Sequence, residues 1–216
     1  MSLISHKPVR IGRGQRELRD DRVFVVATED TYAPEHYFKG LPMPRVKVLV
    51  LPTDSGLSSP EHVVLRLKEA FEHVTKQKQV QQGDEFWVLL DADHHTEGTH
   101  LKNLLKALLQ ARQSGFEVAI SSPCFELWLL LHHADVPPGT VFTQCKEVAA
   151  KLAEVLGGYD KTAIQEGRFK LAHLPDAIRR ARALEENPDA PEGLWPKTVG
   201  TRVYRLFESA LGGRGI

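Results

Sequence analysis

Phe86-Trp87-Val88-Leu89-Leu90-Asp91-Ala92-Asp93-His94-His95 is the stretch on which the reading of this chain turns. Five apolar residues run without a break into two carboxylates spaced i, i+2. A short, continuous apolar run containing aromatic and β-branched residues is the pattern of a strand covered on both faces, as in a parallel sheet. Ionised carboxylates are costly inside such a core. The strand is therefore expected to end at Asp91, with Asp91 and Asp93 on the rim of the sheet. In open α/β sheets that rim, outside the carboxyl ends of the strands, is where ligands bind. While the chain stays extended, Asp91 and Asp93 point the same way. Two convergent carboxylates are hard oxygen ligands suited to Mg2+ or Mn2+. A strand running into a polar turn with Asp at its caps shows the same short pattern, so the flanking sequence has to discriminate.

Upstream, Val23-Phe24-Val25-Val26-Ala27 reads as a second buried strand, and it too ends in acids, at Thr28-Glu29-Asp30. Pro34 to Leu41 reads as a short helix with proline in its first turn, and Val46 to Leu51 as a strand closed by Pro52. Ser59 and Pro60 are the capping and first positions of a helix running to about Lys78, with Val63, Val64, Leu67, Ala70, Phe71 and Val74 at helical spacing. Downstream, a helix is expected from about Thr99 to Ser114, stopped by Gly115, and then a strand over Glu117 to Ser121. Beyond Pro123 lies a strongly apolar helix whose one charge is Glu126. That acid is either a helix N-terminal residue favoured by the dipole or a further carboxylate of the site.

Strands alternating with helices indicate an α/β fold with a largely parallel sheet flanked by helices. We place this domain at residues 23–139, after a basic N-terminal arm at 1–22. After the Pro-rich linker Asp135 to Gly139 come only helical patterns: Gln144 to Leu156, Leu174 to Glu186 and Thr198 to Leu211. Residues 140–216 are thus expected to form a helical appendage packed on the sheet.

The 216 residues contain 28 Lys plus Arg and 28 Asp plus Glu, so the formal net charge is zero. A chain coated in positive charge is excluded, while a local basic patch is not. Lys7, Arg10, Arg13, Arg16, Arg19 and Arg22 in the arm, with Arg179, Arg180, Arg182, Arg202 and Arg205 on the late helices, form either such a patch or ordinary solvated faces. Two cysteines, Cys124 and Cys145, make no disulfide framework and have no zinc-type spacing, which points to reduced thiols in a cytoplasmic protein. Cys124 reads as a small buried residue. No apolar run has the length of a membrane span or of a signal peptide. His94, His95 and His100 fit a solvated loop or a site for a softer metal. His132 and His133 read as helix-end residues, and Trp87, Phe125 and Trp128 as core.

Taken together, several segments resemble the RloB family, proteins linked to restriction and phage-defence loci that carry a Toprim-type domain. Ser121-Ser122-Pro123-Cys124-Phe125-Glu126-Leu127-Trp128-Leu129-Leu130-Leu131-His132 is similar to the family's Ser-Asn-Pro-Cys-Phe-Glu-Leu-Trp-Leu-Leu-His signature almost residue by residue. Glu29 stands in its Cys-Glu-Gly turn, Tyr37-Phe38 in its Tyr-Phe, Ser59-Pro60 at a helix start, and Asp84-Glu85-Phe86-Trp87 before its Asp-x-Asp. Tyr159 with Lys161 resembles its Tyr-x-Lys, and Lys197-Thr198 its late helix start. The likeness runs from about Val23 to Leu211. The chain departs from the pattern where Cys-Glu-Gly reads Thr28-Glu29-Asp30, and where the acid before Tyr-Phe is moved by one, in Ala33-Pro34-Glu35. Asp30 adds an acid where the family has glycine.

The resemblance implies that Asp91 and Asp93 hold Mg2+ or Mn2+, with Glu29 as a third ligand or as general acid/base. Glu126 would bind metal or orient a ligand, and Lys161 would offset developing negative charge if it folds back over the site. The implied activity is metal-dependent cleavage of phosphodiesters in DNA or RNA, tRNA included, in antiviral defence. The implied partners are nucleic acid and a second copy or a defence-system protein. A phosphatase of the haloacid-dehalogenase type, with Asp91 as nucleophile, and a non-catalytic nucleic-acid-binding module are the alternatives.

Overall fold

In the computed structural model, residues 20–30, 32–53, 57–92, 98–137, 139–186, 196 and 198–212 are described. The apolar runs form strands β1 (Arg22–Thr28), β2 (Val46–Val50), β3 (Glu85–Asp91) and β4 (Glu117–Ser122). The segments with helical spacing form α1 (Ala33–Gly40), α2 (Pro60–Lys76), α3 (Gly98–Gln113) and α4 (Glu126–Leu131). Gly115, with φ at +74°, supplies the left-handed turn after α3. Ser59 does not cap α2 with its side chain, because its Oγ sits 2.9 Å from His62 Nδ1 instead.

β1 to β4 pair in parallel, and a fifth strand completes the order β2-β1-β3-β4-β5. This mixed α/β layer is the architecture expected from the alternation of strands and helices. Alternate residues along the central strands feed two cores. Val23, Val25, Ala27, Phe86, Val88 and Leu90 pack against α2 and α3 on one face. Phe24, Val26, Trp87 and Leu89 pack on the other against α1, α4 and the helices that follow.

Those later helices are α5 (Cys145–Leu156), α6 (Leu174–Glu185) and α7 (Tyr204–Ala210). They share a core with α1 and α4 in which Tyr37, Phe125, Trp128 and Phe207 are buried, Trp128 and Phe207 being stacked at 5.2 Å between ring centroids. The expectation of helices alone after residue 140 is corrected by β5 (Gly200–Thr201), which pairs antiparallel with Ser121 and Ser122 at the end of β4. Ser121 Oγ and Thr201 Oγ1, both buried, lie 2.8 Å apart, and the bond satisfies two hydroxyls that would be costly in the core.

Residues 1–19 of the basic arm, the loop over 187–193 and Lys197 lie outside the described residues. Arg22 is spent on the fold. Its guanidinium donates to the carbonyls of Ser209 at 2.8 Å and Ala210 at 2.5 Å, fastening the start of β1 to the end of α7. The late arginines are paired in the same way: Arg180 with Asp135, Arg179 with Asp176, Arg182 with Glu208, and Arg202 and Arg205 both with Glu185. Arg182, Arg202 and Arg205 tie α6 to the segment of β5 and α7, while the Arg179 pair with Asp176 lies within α6. Among the described residues no helix is long and apolar enough to cross a membrane.

Candidate functional site

The strand order places the site. From β1 the chain passes to α1 on one face of the sheet; from β3 it passes to α3 on the opposite face. β1 and β3 are neighbours, paired from Phe24 with Glu85 to Thr28 with Leu89. Beyond their carboxyl ends the two connections therefore diverge, opening the crevice at which α/β sheets bind ligands. Glu29 and Asp91 both stand at that point. Glu29 Oε1 accepts a hydrogen bond from the Asp91 backbone N–H at 3.4 Å. Asp91 Oδ1 in turn accepts from the backbone N–H of Phe125 at 2.9 Å, so the loop after β4 fixes the orientation of the carboxylate. Asp93, His94 and His95 lie outside the described residues.

Asp30 has two tasks. One oxygen accepts from the backbone N–H groups of Tyr32, at 2.7 Å, and Ala33, tying the turn to the start of α1. The other meets Lys161 Nζ at 3.2 Å. Lys161 thus folds back from the C-terminal third onto the carboxylate edge. Burial works against its ammonium, yet Asp30, with Glu126 and Asp91 further off, holds its pKa above the ordinary lysine value. The acid standing at the family's glycine position is thereby balanced by a cation.

Glu126 is the helix N-terminal acid of α4, and it is buried rather than solvated. Oε1 accepts from the hydroxyl of Tyr159 at 3.2 Å, and Oε2 lies 3.1 Å from the sulfur of Cys145. Burial pushes its carboxyl above the ordinary range. Asp30 adds to the rise, while the residue's own backbone N–H, Tyr159 and Lys161 oppose it without reversing it. The Tyr159 hydroxyl is pushed up as well, by burial and then by Glu126, and so remains a proton donor.

Three further residues take part, of which Arg66 alone is not singled out from the sequence. Arg66 of α2 is buried and donates to the carbonyl of Thr28 at 2.6 Å, placing a guanidinium under the carboxyl end of β1. An arginine flanking the apolar stripe of α2 was the only signal. Tyr159 was noticed in the Tyr-x-Lys likeness, without a role. Cys145 is joined to Cys124 by a disulfide, which corrects the expectation of two reduced thiols. Their sequence separation of 21 is closed by the packing of α5 on α4, which no local pattern announces.

His132 is the helix-end residue expected, closing α4, and it is buried. Its Nε2 lies 2.8 Å from the Tyr37 hydroxyl, which also accepts from Trp128 Nε1 at 2.8 Å. Trp128 can only donate, so the Tyr37 oxygen accepts that bond, and the direction of its contact with His132 Nε2 follows the imidazole tautomer. All three rings are buried in the core. Trp87 and Phe125 are buried there too, as their apolar surroundings in the sequence indicate.

The family model described as RloB-like protein matches residues 24–209. The chain belongs to the RloB-like family. The match spans the sheet but for the first two residues of β1, the Asp91 edge, the Glu126 signature and the segment carrying Tyr159 and Lys161. No curated protein and no solved structure matches the chain.

Proposed function

We propose that this RloB-like protein is a metal-dependent nuclease that cleaves phosphodiester bonds of DNA or RNA, with a Toprim-type division of labour and a role in antiviral defence. The observation that carries the reading is the meeting of Glu29 and Asp91 at the divergence of β1 and β3, with Lys161 reaching the same edge. The donor atoms offered by Glu29 and Asp91 are carboxylate oxygens, the class that Mg2+ and Mn2+ prefer, so the set fits such an ion. Asp93, two positions on, is the further ligand proposed. A divalent cation bound there supplies Lewis acidity toward a phosphodiester oxygen and a more acidic water.

The chain's own groups do the rest. The Phe125 N–H holds the Asp91 carboxylate in one orientation, so no reorganisation is needed when substrate arrives. Glu29, half-buried and outside the ladder, is the candidate general acid/base. Lys161 brings a permanent positive charge to an edge crowded with acids, which lowers the repulsion met by an approaching phosphate. Glu126 faces the same edge from α4 and orients bound ligand together with Tyr159.

The test is incubation of the purified protein with plasmid DNA, single-stranded DNA, total RNA and tRNA, each with Mg2+, Mn2+ or chelator. Cleavage of at least one substrate that needs metal and disappears in Asp91→Asn is expected. Retained binding with no metal-dependent turnover would replace the nuclease by a binding module, and a phosphorylated Asp91 trapped with a phosphate ester would replace it by a phosphatase.

A further inference from the structure

Beside the all-oxygen edge stands a second set of ligand atoms of different character. Cys124 lies fully buried in the loop after β4, Cys145 is the half-exposed first residue of α5, and Glu126 is the buried first residue of α4. One ligand atom from each lies within 4.8 Å of the other two, and among the described residues this is the one such group of three. Glu126 Oε2 is 3.1 Å from Cys145 Sγ, and its other oxygen is already turned to Tyr159. As a disulfide the pair offers no thiolate, and its sulfurs are at most weak acceptors toward a carboxylate. The carboxylate is thus held against a sulfur with which it makes no favourable polar bond in the oxidised state.

We infer that reduction of the Cys124–Cys145 disulfide converts Cys124, Cys145 and Glu126 into a binding site for a soft divalent cation, Zn2+ above all. A dithiol reductant supplies two electrons and two protons. The S–S bond breaks, each sulfur leaves as a thiol, and the reductant closes to its own disulfide. The cation then takes both sulfurs and Glu126 Oε2, and the two thiol protons pass to solvent. Two thiolates favour Zn2+ over the hard ions suited to Glu29 and Asp91. Three protein ligands leave a fourth tetrahedral position for water. Metal–sulfur bonds of about 2.3 Å require the sulfurs to stand roughly 3.7 Å apart in tetrahedral geometry. Side-chain rotation at half-exposed Cys145 provides that opening, and its exposure also gives the reductant access. The site does not depend on the nuclease reading.

Co2+ is a suitable probe, since thiolate ligation gives it an intense near-ultraviolet charge-transfer band and tetrahedral ligation a visible one. Full-length protein, reduced with a dithiol and freed of reductant without air, is titrated with Co2+ and then with Zn2+. We expect one equivalent of Co2+ to develop both bands and Zn2+ to bleach them. The oxidised protein and Cys145→Ser should show neither band. Glu126→Gln should weaken binding at least tenfold, and Asp91→Asn should develop both bands as the wild type does. Circular dichroism of each variant separates lost binding from lost fold. No thiolate band in the reduced protein, equal binding by Cys145→Ser or Glu126→Gln, or loss in folded Asp91→Asn each overturns the inference. Failure of the cleavage assay above, with these spectra intact, would leave it standing.

Discussion

Lys161 Nζ lies 3.2 Å from Asp30 Oδ2, and 131 positions of chain separate the two residues. The contact joins the C-terminal third to the end of β1 and sets one cation among Asp30, Glu126 and Asp91. Lys161 is 52% exposed along its side chain. An ion pair so open to water is screened and contributes under about 1 kcal/mol to stability. Its effect should appear in the proposed chemistry. Lys161→Met is expected to keep the melting temperature of the wild type while slowing metal-dependent cleavage at least tenfold, about 1.4 kcal/mol of barrier. Parallel melting curves and single-turnover rates decide it; equal losses in both would make Lys161 a structural tether.

Asp91 separates its two roles by substitution. Asparagine keeps an oxygen to accept the Phe125 N–H, whereas alanine does not. In chelator, Asp91→Asn should melt with the wild type, and Asp91→Ala should lose about 1–3 kcal/mol by leaving a backbone donor unpaired. With excess Mn2+, the wild type should gain stability because only the native state binds the ion. Both variants should lose most of that gain. A gain in Asp91→Asn as large as in wild type would remove Asp91 from the ligand set.

The buried Glu126 carboxyl gives stability a pH dependence with a defined sign. Its pKa in the folded chain is raised, first by burial, so the folded state holds its proton at pH values where the unfolded chain has released it. Stability attributable to this group therefore falls as pH climbs from about 4.3 toward the raised value. Glu126→Gln, which is never charged, should be more stable than the wild type at neutral pH in chelator. The difference should close below about pH 4. Urea unfolding at several pH values measures it, and a variant no more stable at pH 7 than at pH 4, relative to wild type, would contradict the assignment.

The Tyr37–His132–Trp128 network predicts lability to acid. Burial, and then His133, His173 and Arg180, lowers the His132 pKa to about 3, so the ring is neutral in the fold. The unfolded ring titrates near 6.5. Stability from this residue is complete above that value and is lost as pH falls from about 6.5 toward 3. The wild type should lose stability more steeply over this interval than His132→Gln. Tyr37→Phe, which strands the ring nitrogens of both partners, should cost about 1–3 kcal/mol at neutral pH. A flat difference between wild type and His132→Gln across the interval would place the titration elsewhere.

The carboxylate edge was legible because each acid ends an apolar run. Val23 to Ala27 and Phe86 to Leu90 are short apolar runs rich in β-branched and aromatic residues and read as buried strands, so Glu29 and Asp91 are expected to emerge at their ends. That both emerge at one edge follows from parallel pairing, itself implied by the intervening helices. The C-terminal third was less legible. β5 is two residues long, and Gly200 and Thr201 have no period of their own; only Ser121 and Ser122 across the ladder make them a strand. Ser59 followed by Pro60 reads as a cap, but His62 one turn on takes its hydroxyl. Arg66 sits at the flank of an apolar stripe, and its target, the Thr28 carbonyl, is defined only once α2 crosses β1. The reach of Lys161 came from the family resemblance, since no local pattern carries a contact over such a separation. Asp93, central to that resemblance, lies outside the described residues.

The clasp of Arg22 on the carbonyls of Ser209 and Ala210 bears on the order of events during synthesis. Those carbonyls are 187 and 188 residues downstream of the guanidinium that binds them. A nascent chain can pair β1, β2, β3 and β4 well before Ser209 and Ala210 leave the ribosome. Until α7 emerges, the amino end of β1 lacks its clasp and one face of the sheet lacks part of its cover. Loop closures of that length are late and slow. A ribosome stalled before α7 therefore holds a sheet whose carboxylate rim is assembled while its opposite end stays open, a natural point for chaperone capture and for proteolysis of unfinished chains.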